Sequence, residues 1–123
     1  MGFQTFEDLE VWKKSRDLRI FVKKLTLKFP NEEKYVLGNQ VLRSSRSIGN
    51  NIAEGYGRYF NQENIQFCRI ARGSLEETLD HLIIAFDEGY ISTQDLTDFR
   101  SLHNDCLKLL NGYISYLKKA KSG

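Results

Sequence analysis

The chain has 123 residues, of which 41% are hydrophobic and 28% charged, and its formal net charge is +2. These values are typical of a globular protein, and the length predicts a single domain over residues 1–123. No apolar run approaches the ~18 residues of a membrane-spanning helix, and no apolar signal core follows the first residue. We therefore expect a cytoplasmic protein with no membrane partner.

The first predicted helix runs from Phe6 to Lys28. Apolar side chains recur along it at alternating spacings of four and three residues, which is the pattern of a helical stripe. Pro30 follows, and the residue before a proline is pushed away from the α region of backbone space. The helix is therefore expected to end just before this proline.

The second predicted helix runs from Glu32 to Glu54, and its middle is unusually rich in small side chains. Small residues allow a neighbouring helix to approach closely. We expect Gly55 and Gly57 to end this helix, because glycine tolerates the left-handed backbone common at helix C-termini. The small residues in its middle are Ser44, Ser45, Ser47 and Gly49.

The third predicted helix runs from Gln62 to Glu88, with Asn61 as its N-cap and Gly89 as its C-cap. The fourth opens at Ser92, which begins an approximate capping box with aspartate in place of glutamate. Four helices of about 25 residues with short connections must alternate in direction. The predicted fold class is therefore all-α, an antiparallel up-down-up-down four-helix bundle.

Two cysteines and one histidine fall on apolar helical stripes. We expect Cys68 and Cys106 to be small buried side chains rather than ligands, because no Cys-x-x-Cys or histidine pair accompanies them. His103 is expected to be a hydrogen-bonded core or interface residue rather than a catalytic one. The sequence predicts no metal and no cofactor.

A polar stripe runs beside the apolar one on the second helix and includes Asn50, Asn51, Glu54 and Arg58. The favoured interpretation is a structural network that ties this helix to the third helix or to a neighbouring subunit. Binding of nucleic acid or another partner by the arginines is the next alternative. Catalysis is least favoured, because no paired carboxylate, metal cluster or activated nucleophile accompanies Glu54.

Positive charge is concentrated in the first part of the chain. Residues 1–72 hold 13 Lys/Arg and 8 Asp/Glu, whereas residues 73–123 hold 5 and 8. Arginine suits bidentate phosphate contact, and aromatic residues in the turn near Tyr59 could either stack on bases or anchor the turn. The candidate nucleic-acid-binding arginines near the junction of the second and third helices are Arg43, Arg46, Arg58, Arg69 and Arg72.

Several strings form one pattern: Phe29-Pro30-Asn31-Glu32-Glu33-Lys34-Tyr35, Ser47-Ile48, Asn51-Ile52-Ala53-Glu54-Gly55 and Gly73-Ser74-Leu75-Glu76-Glu77. The pattern resembles the four-helix bundle proteins encoded in intervening sequences of bacterial 23S ribosomal RNA genes. That resemblance implies a homopentamer with no established enzymatic activity. A more distant similarity is to the accessory protein of diversity-generating retroelements, a basic pentamer that binds a reverse transcriptase and nucleic acid. Ser45 and Thr78 depart mildly from the pattern, where alanine and leucine are usual.

Several apolar residues lie off the main stripes, and one bundle core cannot enclose them all, which also favours self-association. These residues are Trp12, Phe21, Leu27, Ile83, Ile84 and Ile114. The leading functional hypothesis is a non-enzymatic, ring-shaped homo-oligomeric scaffold. Its basic face binds RNA, DNA or a nucleic-acid enzyme. The alternative hypothesis is a purely protein-binding or structural oligomer with no nucleic-acid role.

Overall fold

The computed structural model describes residues 4–120. Within that range the regular elements are all helical, and the predicted all-α class is confirmed. Four long helices pack around a common core, preceded by a single 3-10 turn and interrupted by one short helix. The elements are the 3-10 turn Phe6–Asp8, α1 (Glu10–Thr26), α2 (Asn31–Lys34), α3 (Leu37–Tyr56), α4 (Asn61–Asp87) and α5 (Thr93–Lys119).

Successive long helices run in opposite directions. Where α3 meets α4, Ser44 contacts Thr78 and Ser47 contacts Ser74, so the position rises on one helix as it falls on the other. α1 packs against α3 and α5, and α4 packs against the same two helices. The four long helices thereby close a bundle in which neighbours along the chain are also neighbours in space.

The start of the chain differs from the predicted continuous helix. Phe6 lies in a 3-10 turn, and Leu9 then adopts an extended backbone with ψ 127° before α1 begins. The Thr5 hydroxyl accepts the Glu7 backbone N–H, and the Asp8 carboxylate accepts the Thr5 backbone N–H. These local hydrogen bonds stabilise a separate turn. α1 also ends at Thr26, two residues before the predicted end.

The predicted second helix is two helices, α2 and α3, and the break lies at Val36, where φ is −112° and ψ is −86°. The hydroxyl of Tyr90 donates a hydrogen bond of 2.9 Å to Glu33, which ties α2 to the connection between α4 and α5. Because α2 is held there while α3 follows the bundle, the backbone must bend between them. The prediction of one helix over this stretch was wrong.

Glycine ends only one helix with a left-handed backbone in the described range. That residue is Gly89, whose φ is 82° and which lies one residue beyond Glu88, the C-cap of α4. Gly57 is the C-cap of α3 as expected, with a right-handed backbone at φ −77°, whereas Gly55 lies inside α3, so the expectation for Gly55 was wrong. An added Cβ at Gly55 would lie 2.6 Å from Asn64 Oδ1 and 2.9 Å from the Phe67 Cβ. Gly55 is therefore required for close approach of α4, not for a turn.

The core lies between the four long helices and contains the side chains that the apolar stripes predicted. Leu18, Ile48 and Leu82 are fully buried in it. Of the apolar residues expected in excess, Ile114 is buried, and Trp12, Phe21 and Ile83 are half-buried against the core, whereas Leu27 and Ile84 remain exposed. Among residues 4–120, no helix is both long enough and apolar enough to cross a bilayer.

Candidate functional site

The interface between α3 and α4 is a seam of hydroxyl and amide groups. The Ser44 and Thr78 hydroxyls are 2.8 Å apart, and the Ser47 and Ser74 hydroxyls are 2.9 Å apart. Asn51 donates to the Ser47 carbonyl at 2.8 Å and to its hydroxyl at 2.9 Å. Because Thr78 is fully buried, its departure from the usual leucine is matched by a hydrogen-bonding partner.

The other predicted members of the polar network lie outside this seam. Arg58 donates to Glu54 at 3.1 Å, but their side chains are 41% and 55% exposed, so the pair lies at the surface. The Arg58 guanidinium also lies 4.8 Å from the centre of the Phe67 ring, which connects the end of α3 to α4. Asn50 lines one surface groove together with Glu54 and Arg58, and it also lines the groove between α1 and α3. Three of the four predicted residues therefore share a surface groove, whereas Asn51 belongs to the seam.

The five candidate arginines are spread over several grooves rather than gathered into one patch. Arg43 lines a groove between α3 and α4, and Arg46 lines one between α1 and α3. Arg69 lies beside Lys118 of α5, and Arg72 donates to Asn111 at 2.7 Å. Arg58 stays at the end of α3. Helix rotation separates these side chains even though they are close in sequence.

The groove between α1 and α3 has a volume of about 250 Å³ and contains arginines from both helices. α3 comes close to α1 at Gly49, where an added Cβ would lie 3.0 Å from the Ser15 hydroxyl and 3.4 Å from the Trp12 indole nitrogen. We call this groove the α1–α3 groove. Its lining residues are Trp12, Ser15, Arg16, Arg19, Arg46, Gly49 and Asn50.

Arg16 and Arg19 were not anticipated from the sequence, although a signal for them exists. Trp12, Arg16 and Arg19 recur at spacings of four and three residues, which places them on one face of α1. That face becomes a site only because Arg46 of α3 lies across the groove. Spacing along one helix predicts the shared face, but the pairing of α1 with α3 depends on how the two helices pack.

A second groove, between α3 and α4, has a volume of about 390 Å³ and mixes charges of both signs. Arg43 and Glu77 both line it, together with seam hydroxyls and His81. The Nδ1 atom of His81 is buried without a hydrogen-bond partner in the described part of the chain, while its Nε2 lies 3.2 Å from the Glu77 carboxylate. The carboxylate reduces the positive field that Arg43 produces there.

The α4–α5 interface contains buried titratable groups in structural contacts. His103 is buried and lies 2.5 Å from the Glu76 carboxylate, which confirms a hydrogen-bonded core histidine. Burial raises the pKa of the Cys68 thiol to about 11 and that of the Cys106 thiol to about 12. Both cysteines are buried as predicted, and at neutral pH they remain protonated and weakly nucleophilic.

The aromatic turn between α3 and α4 is open to solvent. Tyr59 is 88% exposed and Phe60 is 48% exposed, and their rings form an edge-to-face pair at 4.8 Å. Tyr59 therefore does not anchor the turn to the bundle within this chain. In residues 4–120, no group of three or more His, Cys, Asp or Glu side chains is arranged to hold a metal ion.

Comparison with known proteins identifies the family. The model of the 23S rRNA-intervening sequence protein family matches residues 7–112. The chain belongs to this family. A similar solved structure is a protein of unknown function from the S23 ribosomal protein family of Bacteroides thetaiotaomicron, 28% identical, with a TM-score of 0.77 over 85% of this chain and 97% of that one. No curated protein matches significantly. The match to the 23S rRNA-intervening sequence protein family confirms the predicted resemblance. Because the similar solved structure has no known function, the activity is inferred from the site.

Proposed function

We propose that the protein is a non-enzymatic, oligomeric scaffold that binds nucleic acid through the side of the bundle formed by α1 and α3. The observation that carries this proposal is the division of charge across the bundle. α1 and α3 together carry eight Lys/Arg and three Asp/Glu, a balance of +5. α4 and α5 together carry six Lys/Arg and eight Asp/Glu, a net charge of −2.

The positive side is also poorly neutralised within the chain. Of the arginines in the described range, Arg58 has a carboxylate within ion-pair distance. Arg16, Arg19, Arg43 and Arg46 have no carboxylate at that distance among residues 4–120. Arginines without an internal partner are available to the phosphates of RNA or DNA, whose contacts depend on salt because counterions are released.

Self-association would repeat this basic side in every subunit. One exposed apolar surface contains Ile20 of α1 and Leu27, the residue that follows α1. A second contains Ile70 and Ile84 of α4, which lies across the bundle from α1. Two different apolar surfaces on one subunit suit a head-to-tail contact, which closes into a ring when the rotation fits. By its family resemblance we propose a pentamer, in which weak phosphate contacts add through multivalency.

The charge proposal is tested by the salt dependence of binding. Long RNA and long duplex DNA should both retard the protein at about 50 mM salt and lose most of that binding by about 200 mM. A mobility shift with either nucleic acid at low salt supports the proposal. Absence of a shift for both would contradict it, and the protein-binding or structural oligomer would then be the better interpretation.

The oligomer is tested separately. Ile84→Glu places a charge in the proposed contact, where a desolvated unpaired charge is costly, so it should lower the sedimenting mass. Asn104→Glu adds the same charge at an exposed position of α5, outside both proposed apolar surfaces, and should leave the mass unchanged. A wild-type protein that sediments as a monomer at micromolar concentration would contradict the proposed assembly.

A further inference from the structure

The α1–α3 groove differs in the charge of its lining residues from four other grooves on the part of the chain that the structure describes. Arg16, Arg19 and Arg46 reach it from two helices, and none of its lining residues is acidic. The four other grooves identified on the bundle each contain at least one glutamate. No carboxylate therefore lines the volume that these three arginines share, although Arg16 also borders a neighbouring groove that contains acidic residues.

The polar groups of the groove are mainly hydrogen-bond donors. Each guanidinium offers up to five N–H donors and no acceptor, and the indole nitrogen of Trp12 is a donor only. That indole nitrogen has no hydrogen-bond partner within residues 4–120, and it is not fully buried, so it keeps contact with solvent. Such a set suits a ligand that carries acceptors alone.

Phosphate has this chemistry. Its oxygens accept hydrogen bonds, and arginine binds two of them at once with a planar fork that lysine lacks. The groove volume of about 250 Å³ is below the ~300–1,000 Å³ of clefts that enclose a whole drug-sized ligand. It suits one charged group of a larger ligand that extends over the surface.

We propose that the α1–α3 groove is a phosphate-binding subsite for the backbone of a nucleic acid. Arg16, Arg19 and Arg46 bind the phosphate oxygens, and the Trp12 indole N–H supplies a further donor. The identity of the ligand as nucleic acid rests on the function proposed above, whereas the location of the phosphate rests on the groove itself. The two parts can fail separately.

The chain contains its own probe of this groove, because Trp12 is its one tryptophan. Selective excitation of the indole therefore reports on the groove in the intact wild-type protein. The protein is titrated with a short single-stranded RNA and with inorganic phosphate, each against chloride at equal ionic strength. We expect both to change the Trp12 emission saturably, and the RNA to do so at the lower concentration.

Variants then place the contact. Arg46→Gln should weaken RNA binding about tenfold, the value for one lost charge-assisted hydrogen bond, and lower the salt slope by about one. Arg100→Gln is the matched control, because it removes the same charge from an exposed position of α5, outside the side of the bundle formed by α1 and α3. It should leave the saturable emission change in place. Arg19→Gln serves as the second groove variant if Arg46→Gln loses helical content or oligomer mass.

Each result decides between the two parts of the proposal. Loss of the emission change in the groove variants, with its retention in Arg100→Gln, supports the subsite. Retarded RNA without any change in Trp12 emission, or an equal loss of the emission change in Arg46→Gln and Arg100→Gln, overturns the subsite while the nucleic-acid function stands. An emission response to inorganic phosphate in a protein that binds no RNA overturns the nucleic-acid ligand and, with it, the function proposed above.

Discussion

The two sides of α3 contact their neighbouring helices differently. Toward α4 the helices meet in a hydrogen-bonded seam, because Ser44 and Ser47 find hydroxyl partners and Gly55 lets the two backbones come close. Toward α1, Gly49 lies against Trp12, and the groove there contains Arg46 and is lined by no carboxylate. We call the α4 side closed for its paired hydroxyls and the α1 side open for its unpaired donors, although a groove that contains Glu77 also lies beside the seam.

The closed side should be the more sensitive to added volume. Gly55→Ala forces a Cβ against the backbone carbonyl and side chain of Asn64, and overpacking of this kind costs about 1–3 kcal/mol of unfolding free energy. Gly73→Ala is the control, since no atom lies within 4 Å of its added Cβ and alanine favours a helix interior by about 0.5–1 kcal/mol. Urea unfolding should thus move the two midpoints in opposite directions. Equal midpoints would show that the seam relaxes.

The hydroxyl pair of the seam should show coupling. Ser44→Ala and Thr78→Val each remove one partner, and each should lower the free energy of unfolding by about 0.5–1.5 kcal/mol. The remaining hydroxyl keeps a backbone carbonyl acceptor in each single variant, Val41 for Ser44 and Ser74 for Thr78. The contact between the two hydroxyls is lost only once in the double variant, so its loss should be smaller than the sum of the two. A double-mutant cycle measured by urea unfolding checks this. Strict additivity would mean that the 2.8 Å contact contributes nothing specific.

The same glycine replacement on the open side should have a smaller effect. The Cβ of Gly49→Ala meets the Ser15 hydroxyl at 3.0 Å and the edge of Trp12 at 3.4 Å, and both belong to side chains beside an open groove. Relief by small side-chain shifts and the gain in helix propensity offset each other, so the change should stay below about 1 kcal/mol. A loss as large as that of Gly55→Ala would remove the distinction between the two sides.

The surface ion pair at the end of α3 should contribute least. Glu54→Ala breaks an exposed pair four residues apart, which is worth about 0.3–0.5 kcal/mol and is screened by salt. Glu63→Ala, at an exposed residue without an ion pair in the described range, is the control. Thermal unfolding of both variants at low and high salt tests the difference. A loss of about 3–5 kcal/mol, as for a buried charge partner, would place Glu54 inside an interface between subunits.

The sequence determined the helical class, the four long segments and most of the buried residues. Heptad spacing on each segment is a local property, because a helix with one apolar stripe must bury that stripe against others. Short connections then leave few arrangements, and the bundle follows from them. The same reasoning placed Cys68, Cys106 and His103 in the core. The break at Val36 escaped prediction because it depends on the remote contact between Glu33 and Tyr90.

The tertiary structure alone decided which polar side chains face one another. Arg43 and Arg46 are three residues apart, yet one faces a groove with Glu77 and the other a groove with Arg16 and Arg19. A residue's position on its own helix can be read from the spacing, but the rotation and partner of that helix are fixed by packing across the whole core. The candidate site is a property of two helices in contact, so neither stretch of sequence contains it by itself.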